Sequence, residues 1–123
     1  MKILVVDDSN FVRSLVGKTL QINIPSLELL MASNGIEGYT LYRAEKPDLI
    51  VMDLLMPEMN GWELLKLIRE EDLTTKIIVF SADVQKANRE EIEAFGITAF
   101  IHKPFNQEKS NQLINLVKEE FGA

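Results

Sequence analysis

Polar side chains that suit phosphoryl chemistry follow four short apolar runs in this sequence. The adjacent aspartates Asp7 and Asp8 come directly after ILVV, and Asp53 ends the run DLIVMD. Ser81 ends KIIVFS, and Lys103 follows AFIH. Carboxylates that converge repel one another and raise one another's pKa unless a cation lies among them. With oxygen ligands and no cysteine, the set favours a hard cation, Mg²⁺ or in its place Mn²⁺.

The same residues divide into roles for moving a phosphoryl group. Lys103 supplies a positive charge for one phosphoryl oxygen, and the Ser81 hydroxyl can donate to another. Asp53 is then free to act as the nucleophile, as carboxylates do when they form an aspartyl-phosphate. Taken singly, each residue has a plainer explanation: a helix cap for Asp8 or Ser9, a turn acid for Asp53, and a surface lysine. Only their combination favours a phosphoryl site.

The elements that must position these residues alternate along the whole chain between apolar runs and amphipathic stretches. The predicted strands are Ile3–Val6, Leu27–Ala32, Asp48–Asp53, Lys76–Ser81 and Ala99–Lys103. The predicted helices are SNFVRSLVGKTLQ, IEGYTLYRAEK, WELLKLIREED, VQKANREEIEAF and a last helix capped by Asn106. Asp83 is expected to cap the fourth helix and Gly96 to close it.

This alternation predicts an α/β fold, a doubly wound five-stranded parallel sheet with helices on both faces. In such a sheet, ligands bind beyond the carboxyl ends of the strands, near the switch in strand order. The polar groups named above stand at the ends of four predicted strands. The remaining strand ends in Ala32 and Ser33, so we expect it at an outer position away from the site.

Size and composition narrow the remaining classes of protein. A chain of 123 residues without repeats or a Pro/Gly/Ser-rich linker fits a single domain over residues 1–123. A net charge of −6 argues against a nucleic-acid-binding surface. No cysteine and one histidine, His102, exclude thiolate chemistry and a His-rich metal site. The first apolar run is too short for a signal peptide or a membrane span, so we expect a cytoplasmic protein.

Together these motifs resemble a response-regulator receiver domain. The matching segments are the DD pair, VMDLLMPEMNG around Asp53, the FSA step at Ser81, and FIHKPF around Lys103. They occur in the family's order, each at the end of the appropriate strand, and the resemblance covers essentially the whole chain. It implies the flavodoxin-like strand order 2-1-3-4-5, as in the chemotaxis member of the family.

The resemblance also implies a role for each site residue. Asp53 would accept a phosphoryl group from a histidine of a sensor kinase or phosphotransfer protein. Asp8 and Asp53 would bind Mg²⁺ through their side chains. Asp7 would act mostly through water, and Leu55 through its backbone carbonyl. Lys103 would pair with the phosphoryl group once it is attached.

A switch is implied as well. Ser81 would move toward the phosphoryl group and Phe100 would turn inward, changing the face made by the fourth helix, fifth strand and fifth helix. A downstream protein target would read that face. Ser81 replaces the family's commoner Thr, and Phe100 replaces its commoner Tyr, so Phe100 has no hydroxyl to offer a partner. Leu55 and Asp83 fall at positions that influence phosphoryl lifetime, and the Lys103–Pro104 peptide would be cis.

The sequence thus predicts a phosphoacceptor module that catalyses only its own phosphorylation and dephosphorylation. We expect a monomer, or a dimer once phosphorylated, that binds no nucleic acid and inserts into no membrane. A stand-alone chemotaxis or phosphorelay regulator is the simpler form, and a receiver cut from a larger regulator is the alternative. A Mg²⁺-dependent phosphohydrolase of the haloacid-dehalogenase type is a third possibility. That family requires DxDx[TV] at its first strand, whereas this chain has DDSNF there.

Overall fold

The computed structural model describes residues 1–56, 58–82 and 86–122, and these form five strands and five helices. The strands are β1 Lys2–Val6, β2 Glu28–Ala32, β3 Leu49–Met52, β4 Lys76–Ser81 and β5 Ala99–His102. The helices are α1 Asn10–Asn23, α2 Gly35–Glu45, α3 Gly61–Glu71, α4 Lys86–Glu93 and α5 Gln107–Phe121. Among these, no helix is both long and apolar enough to cross a membrane. The Asp83 cap predicted for α4 lies outside the described residues.

The strands form one parallel sheet in the order β2-β1-β3-β4-β5. β1 lies between β2 and β3, so Val6 is in register with both Ala32 and Met52. β2 is added on one side of β1, whereas β3, β4 and β5 are added in turn on the other side. The strand order therefore switches direction at β1. The predicted doubly wound fold, its strand order and the outer position of the second strand are all confirmed.

Both faces of the sheet are covered, which explains why the central strands read as unbroken apolar runs. Alternate residues of β1 enter different cores: Leu4 and Val6 face one, and Ile3 and Val5 face the other. The first core is completed by buried residues of α2, α3 and α4, namely Tyr42, Leu64, Leu65, Ile68 and Ile92. The second is completed by residues of α1 and α5, namely Val16, Leu20, Leu113, Ile114 and Val117. The central sheet is therefore packed on both faces and positions the residues at its carboxyl edge.

Short polar residues start the helices that leave this edge. Ser9, Asn34, Asn60 and Asn106 each accept a hydrogen bond from a backbone N–H in the first turn of the helix that follows. Ser9, one of the two caps considered for α1, is the one used. Gly96 adopts a left-handed φ of 71° just after α4, as expected of the residue that ends a helix.

Candidate functional site

The site residues stand just beyond the ends of their strands, and backbone hydrogen bonds tie them to the neighbouring strand. The Asp53 N–H donates to the Val6 carbonyl at 2.9 Å, and the Lys103 N–H donates to the Ser81 carbonyl at 3.0 Å. The Asp7 N–H donates to a carbonyl of β2 at 3.1 Å. Asp53 and Lys103 were predicted as the last residues of their strands, and the strands end one residue earlier. The interstrand bonds still hold the backbone of both residues in place.

Lys103 bridges two buried carboxylates. Its Nζ lies 2.8 Å from Oδ2 of Asp53 and 2.9 Å from Oδ2 of Asp7. Burial lowers the pKa of Lys103, but the hydrogen bonds and negative charges of both aspartates outweigh burial and raise it. Lys103 therefore stays cationic, as a group that must meet a phosphoryl oxygen requires.

Asp7 is the carboxylate most disfavoured by its surroundings. It is 2% exposed, and burial raises its pKa above the ordinary value. The Ser9 N–H, which donates to Oδ1 at 2.9 Å, and the Lys103 ammonium lower the pKa but do not offset burial. The negative charge of Asp53 raises it further. An additional positive charge near Asp7 would be stabilising.

Asp53 is held by donors on both carboxylate oxygens. Oδ1 accepts from the Ser81 hydroxyl at 2.7 Å and from the Leu55 N–H at 3.2 Å. Oδ2 accepts from Lys103 at 2.8 Å. Asp53 is 5% exposed and Ser81 is fully buried. These contacts fix the orientation of the carboxylate.

Carboxylate oxygens of Asp7, Asp8 and Asp53 all lie within 4.8 Å of one another. Opposite ligands of a Mg²⁺ ion, each about 2.0–2.1 Å from the metal, are roughly 4.2 Å apart. The three oxygens are therefore close to the spacing that one small cation requires. Asp7 and Asp53 are buried whereas Asp8 is exposed, so the group is open to solvent on one side. The donor set fits the predicted hard cation.

The geometry explains how adjacent aspartates reach one site. Side chains alternate along a strand, so Asp7 and Asp8 would face apart if both belonged to β1. β1 ends at Val6, and Ser9 already caps α1, so the chain turns across Asp7 and Asp8. The predicted turn at Asp8 is confirmed.

The loop after Asp53 depends on a glycine whose role the sequence reasoning missed. A Cβ atom at Gly61 would collide with the carbonyl oxygen of Asp53 and the Cα of Leu54. The Gly61 N–H also donates to the Leu54 carbonyl at 2.9 Å. The start of α3 thus packs directly on the backbone of the phosphoacceptor candidate. The signal was the glycine that ends the motif VMDLLMPEMNG. Leu55 itself has a side chain that is 64% exposed.

Ser81 and Phe100 are both directed inward, Ser81 toward Asp53 and Phe100 into the core. The Ser81 hydroxyl is bonded to Asp53. Phe100 is 7% exposed and belongs to the core formed with α3 and α4. The Lys103–Pro104 peptide is cis, as the resemblance implied. His102 faces Phe100 and not the site, with ring centroids 4.8 Å apart.

Known proteins match this chain over nearly its full length. Residues 3–115 match the family described as response regulator receiver domain. The chain is 37% identical to chemotaxis protein CheY of Thermotoga maritima, over 96% of this chain and 98% of that protein. It is also 37% identical to protein-glutamate methylesterase/protein-glutamine glutaminase 1 of Syntrophomonas wolfei, over 97% of this chain and 34% of that protein.

Among solved structures, the chemotaxis response regulator CheY4 of Vibrio cholerae has a TM-score of 0.82 at 31% identity. The alignment covers 94% of this chain and 97% of that one. Sequence, fold and strand order thus agree with the resemblance on which the site residues were predicted. The chain belongs to the response regulator receiver domain family and is homologous to CheY and other response regulators of two-component signalling.

Proposed function

We propose that Asp53 is the phosphoacceptor of a phosphorylation-operated binding module. The observation that carries this proposal is the placement of the Asp53 carboxylate. It lies between the Lys103 ammonium and the Ser81 hydroxyl, within the group of three carboxylates. The donor would be a phosphohistidine of a sensor kinase or phosphotransfer protein, because family membership implies such a partner.

In the transfer step, a carboxylate oxygen of Asp53 attacks the phosphorus of the phosphohistidine. The new O–P bond forms as the P–N bond breaks, and the electron pair of that bond returns to the imidazole nitrogen. Lys103, which already bonds Oδ2 of Asp53, faces the negative charge of the phosphoryl oxygens. The Ser81 hydroxyl, which now donates to Oδ1, can instead donate to a phosphoryl oxygen.

We further propose that Asp7, Asp8 and Asp53 hold Mg²⁺, with the backbone carbonyl of Leu55 as a further ligand and Mn²⁺ as an alternative ion. The spacing and oxygen chemistry of the carboxylates support this assignment. When bound, the ion supplies positive charge that neutralises the phosphoryl oxygens during transfer.

The consequence of phosphorylation would be a shift between two conformations of the face made by α4, β5 and α5. A downstream protein would bind one of these conformations better than the other. Of the two relatives, CheY matches along 98% of its own length and the methylesterase along 34%. Both a stand-alone regulator of the chemotaxis type, the simpler proposal, and a module of a larger regulator agree with these relatives. The expected cytoplasmic location and the monomeric state stay predictions.

Intact-mass spectrometry after incubation with acetyl phosphate and Mg²⁺ tests the proposal. We expect one added phosphoryl group on the wild-type chain and none on Asp53→Asn or after chelation of the metal. Asp48→Asn is the matched control, because Asp48 precedes β3 at the opposite edge and bonds the Lys2 backbone N–H. Asp48→Asn should be modified like wild type. A phosphoryl group that persists in Asp53→Asn would overturn the assignment.

A further inference from the structure

Arg89 of α4 contacts two aromatic side chains of β5, Phe100 and His102. The guanidinium carbon of Arg89 lies 4.7 Å from the ring centroid of Phe100. Its Nη1 lies 3.1 Å from Nε2 of His102, and its Nε donates to Glu93 at 3.3 Å. We call Arg89, Phe100 and His102 the α4–β5 clasp.

The chemistry of the clasp is specific to these residue types. A guanidinium has donors and no acceptor, so Nε2 of His102 is the acceptor in this contact. The planar guanidinium also meets the face of an aromatic ring favourably. Glu93, four residues along the same helix, orients Arg89 from its other side. Arg89 is thus held by its own helix while it covers a ring that belongs to the sheet.

The clasp lies next to the proposed switch residues. Ser81 and His102 are partners in the register of β4 and β5, and Val79 is the partner of Phe100. Ser81 is hydrogen-bonded to Asp53, and Phe100 is buried. Because Phe100 has no hydroxyl to satisfy, a cation over its ring adds to the preference for the buried position.

We propose that Arg89 is a positioning residue that holds Phe100 inward, and so favours the acceptance and retention of a phosphoryl group at Asp53. This inference rests on the proposed function. If the inward ring and the occupied site stabilise each other, then weakening one must weaken the other by the same factor. Loss of the clasp therefore lowers the affinity of the site for a phosphoryl group or its analogue.

The rest of α4 is attached independently of the clasp. Ile92 is fully buried in the core, and Arg69 of α3 donates to the backbone carbonyl of Phe95 at 2.7 Å and of Gly96 at 3.3 Å. The C-terminal end of α4 thus stays anchored when Arg89 is changed. A substitution at Arg89 is expected to release the ring and leave the helix folded.

The test uses Arg89→Gln in the full chain, labelled with fluorophenylalanine so that the ¹⁹F resonance of Phe100 can be followed. Beryllofluoride with Mg²⁺ is the phosphoryl analogue, and its apparent Kd is measured by titration. Arg43→Gln is the matched control, since Arg43 lies 5.6 Å from the ring centroid of Tyr39 on α2. Arg89→Lys keeps the cation and loses the planar donor group.

We expect Arg89→Gln to shift the Phe100 resonance toward that of an exposed ring and to weaken beryllofluoride binding by about two- to tenfold. Arg89→Lys should restore part of the affinity, and Arg43→Gln should change neither measurement. If the resonance and the affinity of Arg89→Gln match wild type, Arg89 does not position the ring. A displaced ring with unchanged affinity would equally overturn the proposal.

Different results would overturn the proposed function and the proposed role of Arg89. A wild-type chain that binds no beryllofluoride, or binds it equally well as Asp53→Asn, overturns the proposed function. The Phe100 resonance without any analogue still decides whether Arg89 holds the ring. Should Arg89→Gln unfold, Arg89→Lys carries the same comparison, with a smaller loss of affinity supporting the proposal and none overturning it.

Discussion

Asp7 and Asp72 lie at opposite edges of the same sheet, and their surroundings act on them in opposite directions. Asp72 follows α3 near the amino edge, where Oδ2 accepts from the Tyr42 hydroxyl at 2.9 Å. Its carboxylate also accepts from the backbone N–H and hydroxyl groups of both Thr74 and Thr75. Burial raises the pKa of Asp72, but these neutral donors outweigh burial and hold it well below its ordinary value.

Asp7, at the carboxyl edge, has fewer donors and a like charge beside it. One backbone N–H, from Ser9, and the ammonium of Lys103 contact its carboxylate, and Lys103 is shared with Asp53. Burial therefore dominates and raises the pKa of Asp7. The carboxylate at the amino edge is satisfied by the protein alone. The one at the carboxyl edge is left with capacity for a further positive charge.

The contrast separates a structural carboxylate from one suited to binding a ligand. Asp72 joins α3 to α2 and to the start of β4 through hydrogen bonds that are already complete. Burial and the negative charge of Asp53 destabilise the ionised form of Asp7, and a bound cation would reduce that destabilisation. Perturbed carboxylates of this second kind are common at functional sites.

Replacement of Lys103 should have the largest effect, and on function more than on fold. In Lys103→Met the developing charge on the phosphoryl group loses its ammonium partner, and we expect phosphorylation by acetyl phosphate to slow by about 100-fold or more. Stopped reactions read by intact mass give the rate. Lys76→Met is the control, since Lys76 forms an exposed ion pair with Glu120, 3.3 Å apart, at the start of β4. Equal rates in both variants would remove Lys103 from the transfer step.

Removal of Asp72 should lower the stability of the fold and leave the rate of phosphorylation nearly unchanged. Asp72→Ala leaves the Tyr42 hydroxyl and the threonine donors without their shared acceptor, so the free energy of unfolding should fall by about 2–3 kcal/mol. Urea unfolding measures this loss, and Asp72→Asn, which keeps one acceptor oxygen, should lose less. The rate of phosphorylation at Asp53 should stay within about twofold of wild type. If Asp72→Ala is fully folded but is phosphorylated much more slowly than wild type, the two edges of the sheet are coupled.

The sequence alone predicts much more of the carboxyl edge than of the amino edge. The functional residues there follow strands, and the ends of parallel strands meet at one edge whatever the details of packing. Alternation of strands and helices was therefore enough to bring Asp7, Asp53, Ser81 and Lys103 together. The order of the strands came from the family resemblance and not from periodicity.

The hydrogen bonds of Asp72 could not be predicted in the same way. Tyr42, its partner on α2, is 30 positions away, and nothing in local periodicity indicates which residues of α2 and α3 will meet. Arg69 is similar, because one of its acceptors is the carbonyl of Phe95, 26 positions away and just after α4. The clasp of Arg89 on Phe100 likewise depends on how α4 docks. Such contacts follow from helix packing, which only the folded structure supplies.

Removal of the charge of Asp7 should stabilise the metal-free protein. Asp7→Asn relieves the burial of a charge and its repulsion from Asp53, while Lys103 keeps Asp53 as a partner. We expect the free energy of unfolding at pH 7, with chelator present, to rise by about 1 kcal/mol. Mg²⁺ binding should weaken in the same variant. A loss of stability in Asp7→Asn would mean that Lys103 compensates fully for the burial of Asp7.

The smallest expected difference concerns pH. The contributions of Asp7 and Asp72 to the free energy of unfolding, measured without metal, should change differently as the pH falls. For Asp7 the folded pKa is above the unfolded value of about 3.9, so its unfavourable contribution is complete at neutral pH. That contribution disappears as pH falls from the folded pKa to the unfolded one. For Asp72 the folded pKa is below the unfolded value, so its favourable contribution is complete above about pH 4 and is lost only as pH falls further.

Urea unfolding of wild type, Asp7→Asn and Asp72→Asn between pH 7 and pH 3 therefore separates the two edges. The stability gap between wild type and Asp7→Asn should be nearly closed at about pH 4, whereas most of the gap for Asp72→Asn should remain there. The two gaps also have opposite signs, because ionisation opposes folding at Asp7 and favours it at Asp72. Gaps that close at the same pH, or share one sign, would contradict the distinction between a ligand-binding carboxylate and a structural one.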